Sequence, residues 1–279
     1  SKMYFKDNIN ITFGSSSKIK FTGFSQLLGN DLIIKAGDNY LFEGSSEIVA
    51  TNLIVKSGSN LRFTTSGICN VQDKLEVESD AEIYLCSLNV SNLILKPGSI
   101  VNFNQGSSKI TGDFLAEGIV NNRITLNIPF NNGFNIQTNK TDLNYCDITG
   151  GYFAVFGSGN NPTIDILNCS MNDLNQHFRI GKTLQMTGSF VAHFNNININ
   201  SCLGNGLNIV SLDSVFVSEC QFNNINNVSI ILDHNKYAKV ENCLITNCTK
   251  GIGVNINNEE LIGLNYEICE LDINSSTIS

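Results

Sequence analysis

The stretch Leu32-Ile33-Ile34-Lys35-Ala36-Gly37 decides the fold, because close copies of it return at similar intervals. The copies span Leu53–Gly58, Leu75–Asp80 and Leu93–Gly98. A unit of about 20 residues cannot bury its own apolar face, so it buries that face by stacking on the next unit. The repeat therefore predicts a solenoid.

Each copy is followed by a second apolar pair whose members lie two residues apart, which is the side-chain period of a strand. The pairs are Tyr40 and Phe42, Leu61 and Phe63, Ile83 and Leu85, and Val101 and Phe103, with Ile19 and Phe21 one coil earlier. Short strands separated by turns predict an all-β fold, a right-handed parallel β-helix of roughly a dozen coils. Leucine-rich repeats are a poorer match, because their fixed leucine frame and helical segment are missing.

The second half of the chain repeats around cysteine. The steps from Cys146 to Cys169 and from Cys220 to Cys243 are both 23 residues. The step from Cys169 to Cys202 is clearly longer, which predicts a lateral loop near residues 172–189. Stacked at one position, these cysteines are interpreted as a ladder of buried free thiols. Disulfides between adjacent coils and a catalytic cysteine remain alternatives.

These repeats predict one β-helix domain over residues 1–279. Residues 1–126 would form glycine-turn coils of about 21 residues, and residues 127–279 would form cysteine-ladder coils of about 23 residues. Ser1–Ser16 shows no helical periodicity, and the sequence from Leu271 onward is typical of strand. An open strand edge invites further pairing. We therefore expect the ends to stack on another copy, on a partner or on more of the same protein.

The composition argues against several classes of function. Charged residues make up 15 % of the chain and hydrophobic residues 42 %, with a net charge of −8. Arginine occurs only at Arg62, Arg123 and Arg179, and there is no basic run, so nucleic acid binding is not expected. No apolar run approaches the ~18–20 residues of a membrane-spanning helix. Cys-x-x-Cys is absent, so a zinc site is not expected. No cofactor is expected unless the chain is a polysaccharide lyase, which could use calcium.

Three stretches resemble right-handed parallel β-helix repeat proteins of bacteria, especially secreted ones from Bacteroidetes-like sources. Leu93–Leu126 resembles their entry segment, Leu143–Gly151 resembles the coil that usually follows, and Asn247–Ile252 resembles a later coil. The resemblance covers most of residues 10–270 and implies a secreted or cell-surface location. That family includes polysaccharide lyases, glycoside hydrolases, epimerases, adhesins and phage tail proteins, so the fold leaves the function open.

Two pairs of residues are candidates for chemistry. Asp233 and His234 resemble the Asp-His strand of pectate lyases, although the preceding Trp and a following Arg-x-Pro-x-x-Arg are missing. They could serve a calcium-assisted lyase, or they could simply end a surface strand. His177 and Arg179 fall in the predicted loop and could bind a carboxylate-bearing sugar. The alternative is an ordinary exposed polar pair.

Other charged positions are interpreted as structural. Asp142 and Asp147 are five residues apart, so we expect them on different faces of a coil and not as a catalytic dyad. His193 lies beside Phe194 in a strand-like run. One repeat position holds a solvated outer stripe that could attract an anionic glycan, and it consists of Lys35, Lys56, Glu78 and Lys96.

The function expected from the sequence is a non-enzymatic extracellular surface or fibre protein. It would be adhesin-like and would bind a polysaccharide or a host-cell glycan through its lateral surface. The alternative is a polysaccharide lyase or hydrolase on the same fold, with calcium as a cofactor in the lyase case. A phage tail or spike module is a further alternative.

Overall fold

The computed structural model describes residues 2–4, 18–64, 66–103, 108–129, 133–183, 186–255, 270–274 and 277–278. Over these ranges the chain is all-β, without a helix, and its parallel strands stack into a β-solenoid of about 10 turns. The fold class predicted from the repeat is confirmed. The part of the chain described here therefore contains no helix that could span a membrane.

The strands fall into three sheets. The first sheet consists of β1 (Lys2–Tyr4), β3 (Gln26–Ile34), β5 (Glu47–Val55), β7 (Ile68–Val77), β9 (Ser87–Leu95), β11 (Ser108–Ile110), β12 (Asp113–Glu117), β15 (Lys140–Asn144), β18 (Thr163–Leu167), β21 (Val191–Asn195), β24 (Ser214–Ser218), β27 (Tyr237–Glu241) and β30 (Glu270–Asn274). The second sheet consists of β2 (Lys18–Phe21), β4 (Asn39–Phe42), β6 (Asn60–Phe63), β8 (Glu82–Leu85), β10 (Ile100–Phe103), β13 (Ile124–Asn127), β16 (Cys146–Thr149), β19 (Ser170–Asn172), β22 (Asn198–Cys202), β25 (Gln221–Ile225), β28 (Leu244–Thr246) and β31 (Thr277–Ile278). The third sheet consists of β14 (Gly133–Thr138), β17 (Tyr152–Gly157), β20 (Phe178–Lys182), β23 (Leu207–Val210), β26 (Val228–Asp233) and β29 (Lys250–Asn255).

The last residue of the sequence repeat makes the turn between the first and second sheets. Gly37, Gly58 and Gly98 have φ angles of 78°, 68° and 78°, in the left-handed region that glycine enters without steric cost. In the third copy Asp80 takes this place with φ 59°, and aspartate is among the few other residues that tolerate it. The last position of the repeat is therefore Gly, Gly, Asp and Gly because each coil needs the same left-handed backbone conformation there.

The third sheet begins where the long strands of the first coils divide. Strands β3, β5, β7 and β9 have nine or ten residues each, and β11 pairs with the first part of β9. Strand β11 in turn contacts β14, the first strand of the third sheet. From this point each coil has a separate short strand on all three faces. The third sheet is consequently a face of the C-terminal coils.

Aromatic ladders run through the core. The rings of Phe42 and Phe63 stack at 4.8 Å between centroids, and farther along the chain Phe153 stacks between Phe134 and Phe178 at 5.6 and 5.0 Å. All five side chains are buried. Burying a phenyl ring contributes about 1.5–3 kcal/mol. Because identical positions repeat from coil to coil, each of these phenylalanines meets the next.

The cysteine ladder is confirmed as a set of thiols and not of disulfides. Among the residues described, eight cysteines form no disulfide bond, and seven of them are buried. Asp147 pairs with Ser170, which places the preceding residues, Cys146 and Cys169, on neighbouring coils. Burial raises the pKa of Cys69, in the first half, to about 12, so this thiol is protonated and unreactive at neutral pH.

The prediction that Cys202 stacks on Cys169 in this ladder was wrong. Ser170 pairs with Asn198, so Ile197, and not Cys202, lies next to Cys169. Cys202 instead pairs with Ile225, at a different corner of the coil. The coil that runs from Cys169 to Ile197 is longer than the regular coil of 23 residues.

The predicted lateral loop near residues 172–189 also needs correction. Strand β20 lies within it and is a regular member of the third sheet, paired with β17 and β23. Compared with the next coil, the additional residues lie after this strand, since residues 183–190 separate β20 from β21 whereas residues 211–213 separate β23 from β24. Segment 172–189 therefore contributes a strand to the third sheet, followed by a longer connection.

Two further expectations concern charge and the ends of the chain. The outer stripe is confirmed as a set of surface ion pairs, since Lys56 contacts Glu78 and Lys96 lies 3.5 Å from Glu117. The strand expected from Leu271 onward is confirmed as β30. The expectation for Ser1–Ser16 lies outside the described residues apart from β1, which pairs with β3.

Candidate functional site

The outer face of the third sheet carries an open cavity of about 430 Å³, which we call the lateral groove. Its polar lining consists of Arg179, Asn208 and Asp233, and Val210 and Ile231 are among its apolar neighbours. A guanidinium, an amide and a carboxylate thus meet beside aliphatic surface. This mixture is typical of a site for a polar organic ligand.

Strand register explains why these residues meet. Arg179 of β20 pairs with Asn208 of β23, which pairs with Ile231 of β26. Asp233 pairs with Val210, two residues farther along the same strands. Residues two apart on a strand face the same side, so both rows point outward. The next residue after Ile231 in its row is Gly253, whose missing side chain leaves space on this face.

Arg179 is held by aromatic residues. Its guanidinium carbon lies 5.8 Å from the centroid of the Phe156 ring, and its positive charge acts on the neighbouring Tyr152 hydroxyl. Its Nε is buried without a hydrogen-bond partner. In the ranges that the structure describes, no carboxylate lies within ion-pair distance of this guanidinium. Arg179 is therefore a fixed cation without a carboxylate counter-ion in the described surroundings.

His177 lies two residues before Arg179 and close enough to feel its charge. Its ring packs edge-on against Tyr152 at 5.0 Å, and its Nε2 has no hydrogen-bond partner. Burial, and then the charge of Arg179, lower the pKa of His177 below its usual value. This imidazole is neutral at pH 7, so it adds a polar ring and no second positive charge.

Asp233 and His234 end strand β26 at a corner of the coil. His234 Nδ1 lies 2.6 Å from Asp233 Oδ1. This oxygen has no partner with hydrogen-bond geometry, so the two side chains are in close contact without a hydrogen bond. His234 has φ 55°, and Ser211 on the preceding coil has φ 61°. The left-handed conformation of His234 is therefore a feature of this corner.

All four residues singled out in the sequence lie on or beside one sheet. Arg179 and Asp233 line the same groove, and His234 turns the chain directly after Asp233. His177 packs against Tyr152 and is not among the residues that line the groove. Arg179 is not in a loop, since it lies in β20, whereas His177 is the last residue of the connection that precedes this strand. The sheet therefore fixes the position of Arg179, and His177 lies directly before this strand in the chain.

A second group of residues was missed by the sequence reasoning. Asp142, Asp165, His193, Phe216 and Lys239 occupy one outward-facing position of five consecutive coils on the first sheet. We call them the first-sheet row. The 23-residue step from Asp142 to Asp165 equals the coil length, so this signal was present in the sequence.

His193 is in a strand, as expected, but its side chain is 46 % exposed and faces solvent. Its Nδ1 lies 2.8 Å from Asp165 Oδ1, and its ring stacks on Phe216 at 5.0 Å. Asp142 and Asp147 lie on different sheets, in β15 and β16, so the expectation that they form no dyad is confirmed.

A nearly buried carboxylate, Asp213, joins coils close to the groove. Its side chain is 14 % exposed, and its oxygens lie 3.2 Å from Lys182 Nζ and 2.6 Å from Lys236 Nζ. The Phe190 backbone N–H donates to it at 2.8 Å. Burial favours the protonated acid, but the two lysines and this N–H together hold the pKa of Asp213 below its ordinary value.

We expect Asp213→Asn to lower the free energy of unfolding at pH 7 by about 2 kcal/mol, because charge-assisted hydrogen bonds are lost. A carboxyl with a lowered folded-state pKa stabilises above its unfolded pKa of about 3.9, and this contribution disappears as pH falls through the folded value. Urea unfolding at pH 7 and near pH 3 should show a difference that shrinks in acid. Exposed Glu219→Gln is the control, and equal effects of both variants would contradict the prediction.

Among the residues described, no group of three or more His, Cys, Asp or Glu side chains is arranged to hold a metal ion. The fold and the groove define the class of molecule, a parallel β-solenoid with a polar groove on one lateral face. Comparisons of the chain with protein-family models, curated proteins and solved structures gave no match.

Proposed function

We propose that this chain is a non-enzymatic, extracellular β-solenoid that binds acidic glycans through the lateral groove. It would serve as an adhesin-like surface or fibre protein of the bacterial, Bacteroidetes-like type that its coil motifs resemble. The observation that carries the proposal is Arg179, a fixed cation without a carboxylate partner among the described residues, in an open cavity.

The chemistry of the groove suits a uronic acid unit. A guanidinium binds a planar carboxylate through two parallel N–H···O bonds, which gives geometric selectivity as well as attraction. Asn208 can donate to and accept from sugar hydroxyls, and Asp233 can accept from them. Ile231 and Val210 offer apolar surface to the C–H face of the ring. Asp233 would repel a second carboxylate, so one acidic group per bound segment fits best.

The same lining argues for binding over catalysis. Glycoside hydrolysis uses two carboxyl groups that flank the scissile bond. Of the described residues that line the groove, Asp233 is the sole carboxylate. The rows of Arg179 and Asp233 stand on a sheet of parallel strands, which supports a rigid recognition surface.

A titration with matched ligands tests this function. We expect a galacturonate oligosaccharide to bind at least 10-fold more tightly than the same oligosaccharide after its carboxyl groups are reduced to alcohols. The affinity for the acid form should weaken with added salt, because the contact involves net charge. Equal affinities for the two ligands would refute a groove that selects carboxylates.

Polysaccharide cleavage is the second candidate, and one observation favours it. Asp142 and Asp165 are in register on adjacent strands, so two carboxylates lie side by side on the same face of the sheet, and glycoside hydrolysis uses a pair of carboxyl groups. Release of new reducing ends from acidic or neutral polysaccharides, lost in Asp165→Asn, would establish it. Release of unsaturated sugars that requires calcium would instead indicate a lyase.

A further inference from the structure

The first-sheet row forms a continuous strip along the solenoid. Its five members lie on consecutive coils, so at about 4.8 Å per coil the strip is roughly 19 Å long. The spacing of the coils is close to the length of one pyranose unit in an extended chain. Repeating contacts along the strip would therefore remain in step with a repeating sugar polymer.

Aromatic rings form the centre of the strip. The rings of His193 and Phe216 are stacked, with 19° between their planes, and Tyr237 lies 5.6 Å from Phe216. Phe216 and Tyr237 are partly exposed, on the outer side of their strands. Three adjacent rings on the outer surface of a sheet form an exposed aromatic patch. Such patches indicate a surface that binds a ligand or a partner.

The charged members of the row already have side-chain partners. Lys140 Nζ lies 3.6 Å from Asp142, and His193 lies 2.8 Å from Asp165. At the other end Lys239 Nζ lies 2.7 Å from Glu241. Asp142 and Lys239 are thus each paired with a side chain of opposite charge, and Asp165 contacts the His193 imidazole. The one cation of the row, Lys239, already has a carboxylate partner, so the row does not select an acidic sugar.

We propose that the first-sheet row is a second binding site, for an extended neutral oligosaccharide that lies along the solenoid axis. Phe216 and Tyr237 stack against the C–H faces of sugar rings, while Asp165 accepts hydrogen bonds from hydroxyl groups. The His193 side chain is partly exposed, and its Nε2, the ring nitrogen that does not contact Asp165, supplies a further polar contact. This site is on a different sheet from the lateral groove and does not depend on the proposed function.

A saccharide fits this strip better than a protein does. A stable protein interface buries about 800 Å² on each partner and has an apolar centre. Here the apolar part is limited to adjoining rings, and ion pairs bound it at both ends. A narrow aromatic strip bordered by hydrogen-bonding groups matches a single polymer chain.

Calorimetric titration with neutral β-1,4-linked hexasaccharides of glucose, xylose and mannose tests the proposal. We expect at least one of them to bind, and Phe216→Ala to weaken its binding roughly 10-fold or more. Phe216→Tyr retains the ring and should retain binding. Phe24→Ala is the matched control, because Phe24 is 84 % exposed and remote in sequence from the strip.

Two further measurements distinguish this site from the lateral groove and from a self-association surface. Arg179→Ala should leave neutral-sugar binding unchanged, and Phe216→Ala should still bind galacturonate if the groove functions as proposed. Light scattering of the wild type and Phe216→Ala distinguishes self-association from sugar binding. The proposal is overturned if no hexasaccharide binds, if Phe216→Ala binds as the wild type does, or if this substitution converts a dimer into a monomer.

Discussion

Phe153→Ala should lower the free energy of unfolding by about 3–5 kcal/mol, the usual cost of removing a fully buried phenyl ring. Phe153 is completely buried and stacks on Phe134 and Phe178 of the adjacent coils. Its removal leaves a cavity within the ladder that neighbouring coils cannot fill, because each is fixed by strand pairing on both sides. Urea unfolding followed by far-ultraviolet circular dichroism measures the effect.

The matched control for this core substitution is Phe24→Ala. Phe24 is 84 % exposed, so the same change of residue type should alter stability by no more than about 0.5 kcal/mol. If Phe153→Ala and Phe24→Ala shifted the unfolding midpoint equally, the aromatic ladder would not be part of the core.

Arg179→Ala is expected to weaken galacturonate binding by roughly 10- to 100-fold. A charge-assisted hydrogen bond contributes about 1.5–3 kcal/mol, and about 1.4 kcal/mol corresponds to a factor of ten in affinity. Arg179→Lys retains the charge but loses the two-pronged geometry, so its affinity should fall between those of the wild type and Arg179→Ala. Isothermal titration of the three proteins at low and high salt separates the contribution of the charge from that of the two-pronged hydrogen bonding.

The chain offers a good control for the loss of an arginine. Arg62 also lies over an aromatic ring, with its guanidinium carbon 4.9 Å from the Tyr84 centroid, but it belongs to the second sheet in the first half of the chain. Arg62→Ala removes the same charge and should leave galacturonate binding within about two-fold of the wild type. Equal losses in both variants would indicate a general charge effect and not a site.

The fold was predictable because one backbone requirement recurs in the sequence. The turn that closes the first sheet needs a left-handed residue, and Gly37, Gly58, Asp80 and Gly98 mark it at each coil. The coil length then follows from counting. In the second half the prediction was wrong for Cys202. One coil is longer than the others, so the residue that stacks on Cys169 is Ile197, and Cys202 lies at a different corner of the coil.

The sites were less predictable, because they depend on which strands are neighbours. Arg179 and Asp233 are far apart in the sequence and come together only through a third sheet that the sequence did not reveal. The first-sheet row had a visible 23-residue step between Asp142 and Asp165. The uneven coil before His193 hid the continuation of that row.

A crystal structure with a bound galacturonate trisaccharide would show whether Arg179 holds a sugar carboxylate in the lateral groove. We expect a sugar carboxylate in the lateral groove, with its oxygens about 2.7–2.9 Å from the Arg179 guanidinium nitrogens. Hydroxyl groups of the same ligand should contact Asn208 or Asp233. A trisaccharide bound elsewhere, with the groove empty and Arg179 without a contact to it, would contradict the proposed function.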